Sequence, residues 1–233
     1  MTKKTIFLVL GAVLIVAIAT VVTIIILKAG QLKTHWDVLN EQYIQDNEDA
    51  EMGQVVFLGD SITEGFAVNE FLSSDLQLYN RGIGGDTTGG ILKRLESNVL
   101  SIRPSIIVLL IGINDIHSGV EVSDIVSNLT EILDLIHTEL PLCKVYIESL
   151  YPTNNQAYGF LSGFWDKIEE CNIQYQDLAE TYGYEYIDIH SSLLLGEELN
   201  RDYSSDGLHL NEAGYDIVCA ILAEKIPELI KID

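Results

Sequence analysis

Val55-Val56-Phe57-Leu58-Gly59-Asp60-Ser61-Ile62-Thr63-Glu64-Gly65 runs four apolar residues into a glycine, an acid and a serine. An apolar run of this length, closed by Gly, reads as a strand buried on both faces. Open α/β sheets keep their chemistry outside the carboxyl ends of their strands. This strand would deliver the Ser61 hydroxyl to that edge. Alone the pattern is a modest signal, because many strands end in Gly and Ser.

Working outward, strand and helix signals alternate. Residues 76–80, 105–111, 144–150 and 186–189 supply four more short apolar strands after the first at 54–59. Helical patterns occupy 65–74 as a short helix or loop-helix, then 87–100, 120–140, 160–182 and 211–230. In the 120–140 segment Val122, Ile125, Val126, Leu129, Ile132, Leu133 and Ile136 recur at three and four, the spacing of one helix face. Gly183 closes the fourth helix, and Asn211 is an N-cap candidate for the last. Near-continuous apolar strands separated by helices argue an α/β fold: a three-layer α/β/α domain around a five-stranded parallel sheet. Right-handed crossovers restrict its connections, and the strand order itself is not written in the pattern.

The amino end reads differently. Thr5 to Leu27 holds no charge, Pro or Asn, with Lys3 and Lys4 before it and Lys28 after. A helix of that length rises roughly 34 Å, enough to span a bilayer core. The expectation is a transmembrane signal anchor within residues 1–30, contacting lipid through residues 5–27. Residues 31–52 would form a juxtamembrane linker or helix, and residues 53–233 the folded domain. A cleaved leader is the alternative, but the apolar run is longer than a usual leader core and no clear small-x-small site follows it. The excess of charge on the amino side is small and favours an extracytoplasmic domain on a single-pass anchor.

Thirteen Lys and Arg face 35 Asp and Glu, a formal net charge of -22. Nucleic acid and anionic lipid surfaces would be repelled by such a chain. Its three cysteines, Cys143, Cys171 and Cys219, are too far apart in sequence for a thiol metal knuckle or redox pair.

Four places carry chemistry-bearing residues. They are Asp60-Ser61, Gly84-Gly85-Asp86, Gly112-Ile113-Asn114-Asp115 and Asp206-Gly207-Leu208-His209. The first three end predicted strands, and the fourth lies between the last strand and the last helix. A serine hydroxyl needs a base before it attacks a carbonyl. His209 is the candidate base, and Asp206, separated from it by Gly207 and Leu208, can hold the imidazole. The backbone N–H groups of Ser61 and Gly85 and the side-chain amide of Asn114 are candidate oxyanion donors. Asp60, Asp86 and Asp115 read as loop braces that accept backbone N–H groups. These three acids, with Asp188 and Asp206, lack the His-x-x-x-His or carboxylate–His spacing of a metal hydrolase, so no metal is expected. Gly82-x-Gly84-Gly85 lacks the spacing and Lys of a phosphate loop. No organic cofactor is implied.

These four blocks, in this order, resemble the SGNH hydrolases, also called GDSL-type esterases and lipases. Gly59-Asp60-Ser61-Ile62-Thr63 is similar to the family's first block, and Asn80 to Thr88 to its second. Gly112 to Asp115 is similar to the third, and Asp206 to His209 to the last. The second block looks closest to the branch of the platelet-activating-factor acetylhydrolase catalytic subunits. The resemblance implies a flavodoxin-like sheet of order 2-1-3-4-5, with Ser61, His209 and Asp206 as the catalytic set. It places the oxyanion donors at Ser61, Gly85 and Asn114. The implied activity is hydrolysis of short-acyl esters or lysophospholipids through an acyl-enzyme. Removal of O-acetyl groups from wall or surface glycans is an alternative. A non-catalytic, membrane-tethered binding module on the same scaffold is another, disfavoured because every key residue is present. The expected partners are an ester, lysolipid or acylated glycan.

Overall fold

The computed structural model describes residues 33–154 and 164–231. The chain divides into two compact units, Met1–Val38 and Leu39–Asp233. The expected membrane segment at 5–27, and residues 160–163 of the helix expected at 160–182, lie outside the described residues. Among the described residues no helix is long and apolar enough to cross a membrane.

Helix α1 (His35–Asp46) starts with a reciprocal cap. The Asp37 carboxylate accepts from the Thr34 N–H at 2.9 Å, and the Thr34 hydroxyl accepts from the Asp37 N–H at 3.1 Å. From Leu39 onward the helix belongs to the larger unit. Its Tyr43 is buried and donates to Gly82 O at 2.7 Å. Asn47 donates to Ser97 O at 2.8 Å and accepts from Arg81 at 2.7 Å. The second half of the segment read as a linker therefore packs on the domain.

The sheet has the order β2-β1-β3-β4-β5 and every pairing is parallel. Its strands are β1 (Val55–Gly59), β2 (Leu78–Gly82), β3 (Ile106–Leu110), β4 (Lys144–Glu148) and β5 (Glu185–Ile187). All five residues of β1 and of β3 are buried, which is why both read as unbroken apolar runs. Gly59 stands opposite Gly82 on one side and Leu110 on the other. This register brings the chain after β1, β2 and β3 out at one level of one sheet edge.

Helices α2 (Ser61–Gly65) and α3 (Val68–Phe71) follow β1, and α4 (Thr88–Asn98) follows β2. Helices α5 (Ile113–His117) and α6 (Val122–Glu139) follow β3, and α7 (Phe164–Tyr182) precedes β5. Helix α8 (His190–Leu193) leads into a small antiparallel hairpin, β6 (Leu194–Leu195) with β7 (Glu198–Leu199), and α9 (Glu212–Lys225) comes last. Helices cover both faces of the sheet in three layers, and α4, α6 and α7 pack in series. Ile125, Leu129, Ile132, Leu133 and Ile136 on α6 are completely buried, as the three-four spacing predicted.

Several boundaries differ from the sequence reading. The helix after β1 begins at Ser61 itself, because the Asp60 carboxylate caps it by accepting from the Ile62 N–H at 2.9 Å. A separate α5 directly follows Gly112, whose φ of 132° is open only to glycine. The last helix stops at Lys225 rather than at 230. Pro227 keeps Ile226 out of the helical region, at φ -125° and ψ 84°, and a 3-10 turn, Pro227–Leu229, follows. All three cysteines are free thiols, with Cys143 and Cys171 buried.

Candidate active site

Ser61 is the first residue of α2, just beyond the end of β1, an interior strand buried at every residue. Gly59 permits the tight turn, since a β-carbon there would collide with the Thr63 side chain and the Leu110 carbonyl. The Ser61 Oγ lies 2.9 Å from His209 Nε2, and His209 Nδ1 lies 2.7 Å from Asp206 Oδ2. A carboxylate can only accept, so Nδ1 carries the proton and Nε2 is the lone-pair nitrogen facing the hydroxyl.

The loop bearing Asp206 and His209 has no regular structure and is held by its own hydrogen bonds. Asp206 Oδ1 accepts from the N–H groups of Leu208 at 2.9 Å and His209 at 2.8 Å. The Ser204 hydroxyl donates to His209 O at 2.7 Å and accepts from the Gly207 N–H at 2.9 Å. Asn211 then caps α9 by accepting from the Gly214 N–H at 3.1 Å. Tyr215 on α9 donates to Ile62 O at 2.7 Å and so ties that helix to α2. Partial burial works against ionisation of Asp206, but the His209 ring and the two N–H donors outweigh it and lower its pKa to about 2. It is therefore a carboxylate at neutral pH.

The candidate oxyanion residues flank Ser61 on both sides of β1. Gly85 follows β2 and adopts a φ of 77°, the left-handed region that glycine enters without cost. Among the described residues its N–H donates no hydrogen bond. Asn114 follows β3 and donates one amide hydrogen to Asp86 O at 2.9 Å, leaving its second hydrogen for another acceptor. The amide is thereby pinned against the peptide that follows Gly85.

The three supporting acids are buried beneath this edge. Asp60 caps α2, Asp86 Oδ1 accepts from the Thr87 N–H at 3.0 Å, and Asp115 accepts from the Thr88 N–H at 2.9 Å. Asp115 also takes the Thr88 hydroxyl at 2.6 Å, and Asn128 donates to that hydroxyl at 3.0 Å. Burial pushes the Asp60 carboxyl up to about 7 and raises that of Asp115. Among the described residues no group of three or more His, Cys, Asp or Glu side chains is arranged to hold a metal ion.

The sequence reading overlooked Arg94, Glu64 and Ser204. Glu64 accepts from the Gly84 N–H and so fixes the glycine loop from the α2 side. Arg94 pairs with Asp86 at 2.7 Å and is fully buried. It falls within the apolar face formed by Ile91, Leu95 and Val99, and a charge in such a face was the signal available.

A hydroxyl, an imidazole and a carboxylate in hydrogen-bonded series at the carboxyl edge of a parallel sheet define a serine-type acyl hydrolase. The profile of the GDSL-like Lipase/Acylhydrolase family matches residues 57–217, and the chain belongs to that family, the SGNH hydrolases. It is 30% identical over 212 residues to platelet-activating factor acetylhydrolase IB subunit alpha1 of Rattus norvegicus, covering 85% of each chain. A Streptococcus pneumonia protein, whose description relates it to a platelet activating factor, superposes with a TM-score of 0.77 at 29% identity. That match covers 88% of this chain and 98% of the other. The acetylxylan esterase Axe2 of Geobacillus stearothermophilus shares the fold, with a TM-score of 0.62 at 18% identity over 79% of this chain and all of that one. The chain is a carboxylic ester hydrolase.

Proposed function

We propose that this chain hydrolyses short-acyl esters, acetyl esters foremost, through an acyl-enzyme on Ser61. The observation that carries the reading is the unbroken Ser61–His209–Asp206 hydrogen-bond series, at 2.9 and 2.7 Å. His209 Nε2 takes the hydroxyl proton as Ser61 Oγ bonds to the ester carbonyl carbon. The Ser61 and Gly85 N–H groups and the free Asn114 amide hydrogen hold the oxygen that becomes negative. Asp206 keeps the imidazole in the right tautomer and stabilises its protonated form. The imidazolium then gives its proton to the leaving alcohol. In the second half His209 activates water, which releases the acid and regenerates Ser61.

The acetyl preference rests on the acetylhydrolase names of the relatives at about 30% identity. A fluorophosphonate probe should label Ser61 in the folded chain, and Ser61→Ala should lose both labelling and hydrolysis of nitrophenyl acetate. Unchanged turnover by Ser61→Ala would sink the assignment. Nitrophenyl esters of increasing chain length, lysophosphatidylcholine and acetylated xylan then rank the substrates. Faster cleavage of long-chain lysolipid than of any acetyl ester overturns the acyl preference.

The segment 5–27 is proposed as an uncleaved anchor that holds the hydrolase domain outside the cell, supported by its length and lack of charge. Recovery of the full-length chain in the soluble fraction after carbonate washing would overturn it.

A further inference from the structure

Arg94 on α4 is a guanidinium with no exposure to solvent. Burying such a charge is expensive unless its hydrogen bonds are well met. Here Nε donates to Asp86 Oδ2 at 2.7 Å, and a terminal nitrogen donates to Gly59 O at 3.0 Å. The Gly59 carbonyl also accepts from the Ile83 N–H at 3.1 Å, so Arg94 occupies its second acceptor site. Burial pulls the guanidinium below its usual range, and the Asp86 carboxylate opposes that. Gly90 on the same helix has room only for hydrogen, because a β-carbon there would meet the Asp86 carboxylate.

The two acceptors belong to segments that must stay in register. Gly59 precedes Asp60 and Ser61 on the β1–α2 turn. Asp86 follows Gly85, and its own carbonyl accepts the Asn114 amide. One side chain therefore fixes the loop from Ile83 to Asp86 at both ends, and through Asp86 it fixes Asn114. Lysine could not copy this. Its ammonium is a point charge on a flexible stem, whereas the planar fork reaches two acceptors in fixed directions.

We propose that Arg94 is the positioning residue of the oxyanion hole, setting the Ser61, Gly85 and Asn114 donors relative to one another without touching substrate. The proposal rests on the oxyanion roles given above. It predicts that Arg94→Lys lowers kcat for nitrophenyl acetate about 10- to 100-fold, the scale of a small misplacement of reacting groups, with KM within about twofold. Asp86→Asn, which keeps one acceptor oxygen for Nε but removes the charge opposite the guanidinium, should lower kcat in the same sense. The decisive measurement is a double-mutant cycle with Asn114→Ala, with thermal melting to confirm that each variant is folded. If Arg94 acts through the hole, Arg94→Lys costs at least about threefold less in kcat once Asn114 is gone than it does in the parent. An equal cost in both backgrounds, or kcat within twofold of the parent for folded Arg94→Lys and Asp86→Asn, overturns the proposal. Ser61→Ala run alongside separates the two failures. If it is inactive while the cycle is additive, only the role of Arg94 falls; if it is active, the site reading falls first.

Discussion

Two hydrogen-bonded side-chain pairs of the same 2.7 Å length sit on either side of Ser61 and live in opposite surroundings. The His209 and Asp206 side chains are 43% and 45% exposed, on a loop between elements. Those of Arg94 and Asp86 are 0% and 1% exposed, beneath the sheet edge. A half-exposed pair such as the first adds little to stability, because water competes for its hydrogen bond. In the dry layer neither partner can lose the other without leaving an uncompensated charge. The outer pair is therefore a chemical device that the fold can do without. The inner pair is a mechanical one that the fold cannot shed cheaply. Mutants of the two regions should fail differently, the outer ones in rate and the inner ones in stability as well.

The sharpest test is on the outer pair. His209→Ala should lower kcat on nitrophenyl acetate on the order of 10⁵- to 10⁶-fold. Asp206→Asn should cost about 10⁴-fold through the wrong tautomer. His209→Ala should melt within about 2 °C of the parent, since exposed groups away from buried networks shift stability by under ~0.5 kcal/mol. A melting shift in His209→Ala as large as that of an Arg94 variant would erase the distinction. Asn114 stands between the two regions, with one amide hydrogen on the Asp86 carbonyl and one free. Its alanine variant should lose about 10²- to 10³-fold in kcat, measured with KM to show that binding is kept.

Thr88 lies wholly in the dry layer. Thr88→Val keeps its shape but removes the hydroxyl that donates to Asp115 and accepts from Asn128. The variant should be less stable by about 1–3 kcal/mol, the cost of stranding buried partners, with kcat changed only a few-fold. Urea denaturation beside an esterase assay checks both. A larger loss of activity than of stability would move Thr88 into the catalytic region.

The sequence exposed the outer region more fully than the inner one, for a physical reason. Strands such as β1 and β3 are buried on both faces, so their composition announces them. Chemistry-bearing side chains have to project from the sheet edge, and the candidates Ser61, Gly85, Asn114, Asp206 and His209 stood out in strand-end loops or in the loop before α9. The braces have no such signature. Arg94 occupies a slot in a helix whose other inward residues are apolar, and its acceptors lie 8 and 35 residues away. Glu64 reaches Gly84 across 20 residues, and Tyr43 reaches Gly82 across 39. Such pairings follow from the strand register, which side-chain periodicity alone does not specify. The helix at Ile113–His117 was hidden for a related reason. At five residues it is too short to show a period, and only the φ of Gly112 marks its start.

The last expected effect concerns protons in the dry layer. Asp60 has one oxygen on the Ile62 N–H and the other, fully buried, with no partner among the described residues. Glu148, at the end of β4, receives the Tyr151 hydroxyl. Burial raises both carboxyls to about 7, against the Ile62 N–H bond at Asp60 and the Tyr151 hydroxyl at Glu148. The folded chain thus keeps protons that the unfolded chain releases near pH 4. Between pH 4 and 7 the native state binds more protons than the unfolded one, so stability from these two groups falls as pH rises. Asp206 has the opposite sign. Its carboxyl is held at about 2, so its contribution is complete above pH 4 and disappears only in stronger acid. Thermal melting from pH 4.5 to 7.5 separates the regions: the downward slope should lessen in Asp60→Asn and in Glu148→Gln, and persist in Asp206→Asn. Parallel curves for the parent and both inner variants would mean that Asp60 and Glu148 are already ionised at pH 5. The dry layer would then be charged throughout the working range, and the contrast between the two regions would rest on Arg94 and Asp86 alone.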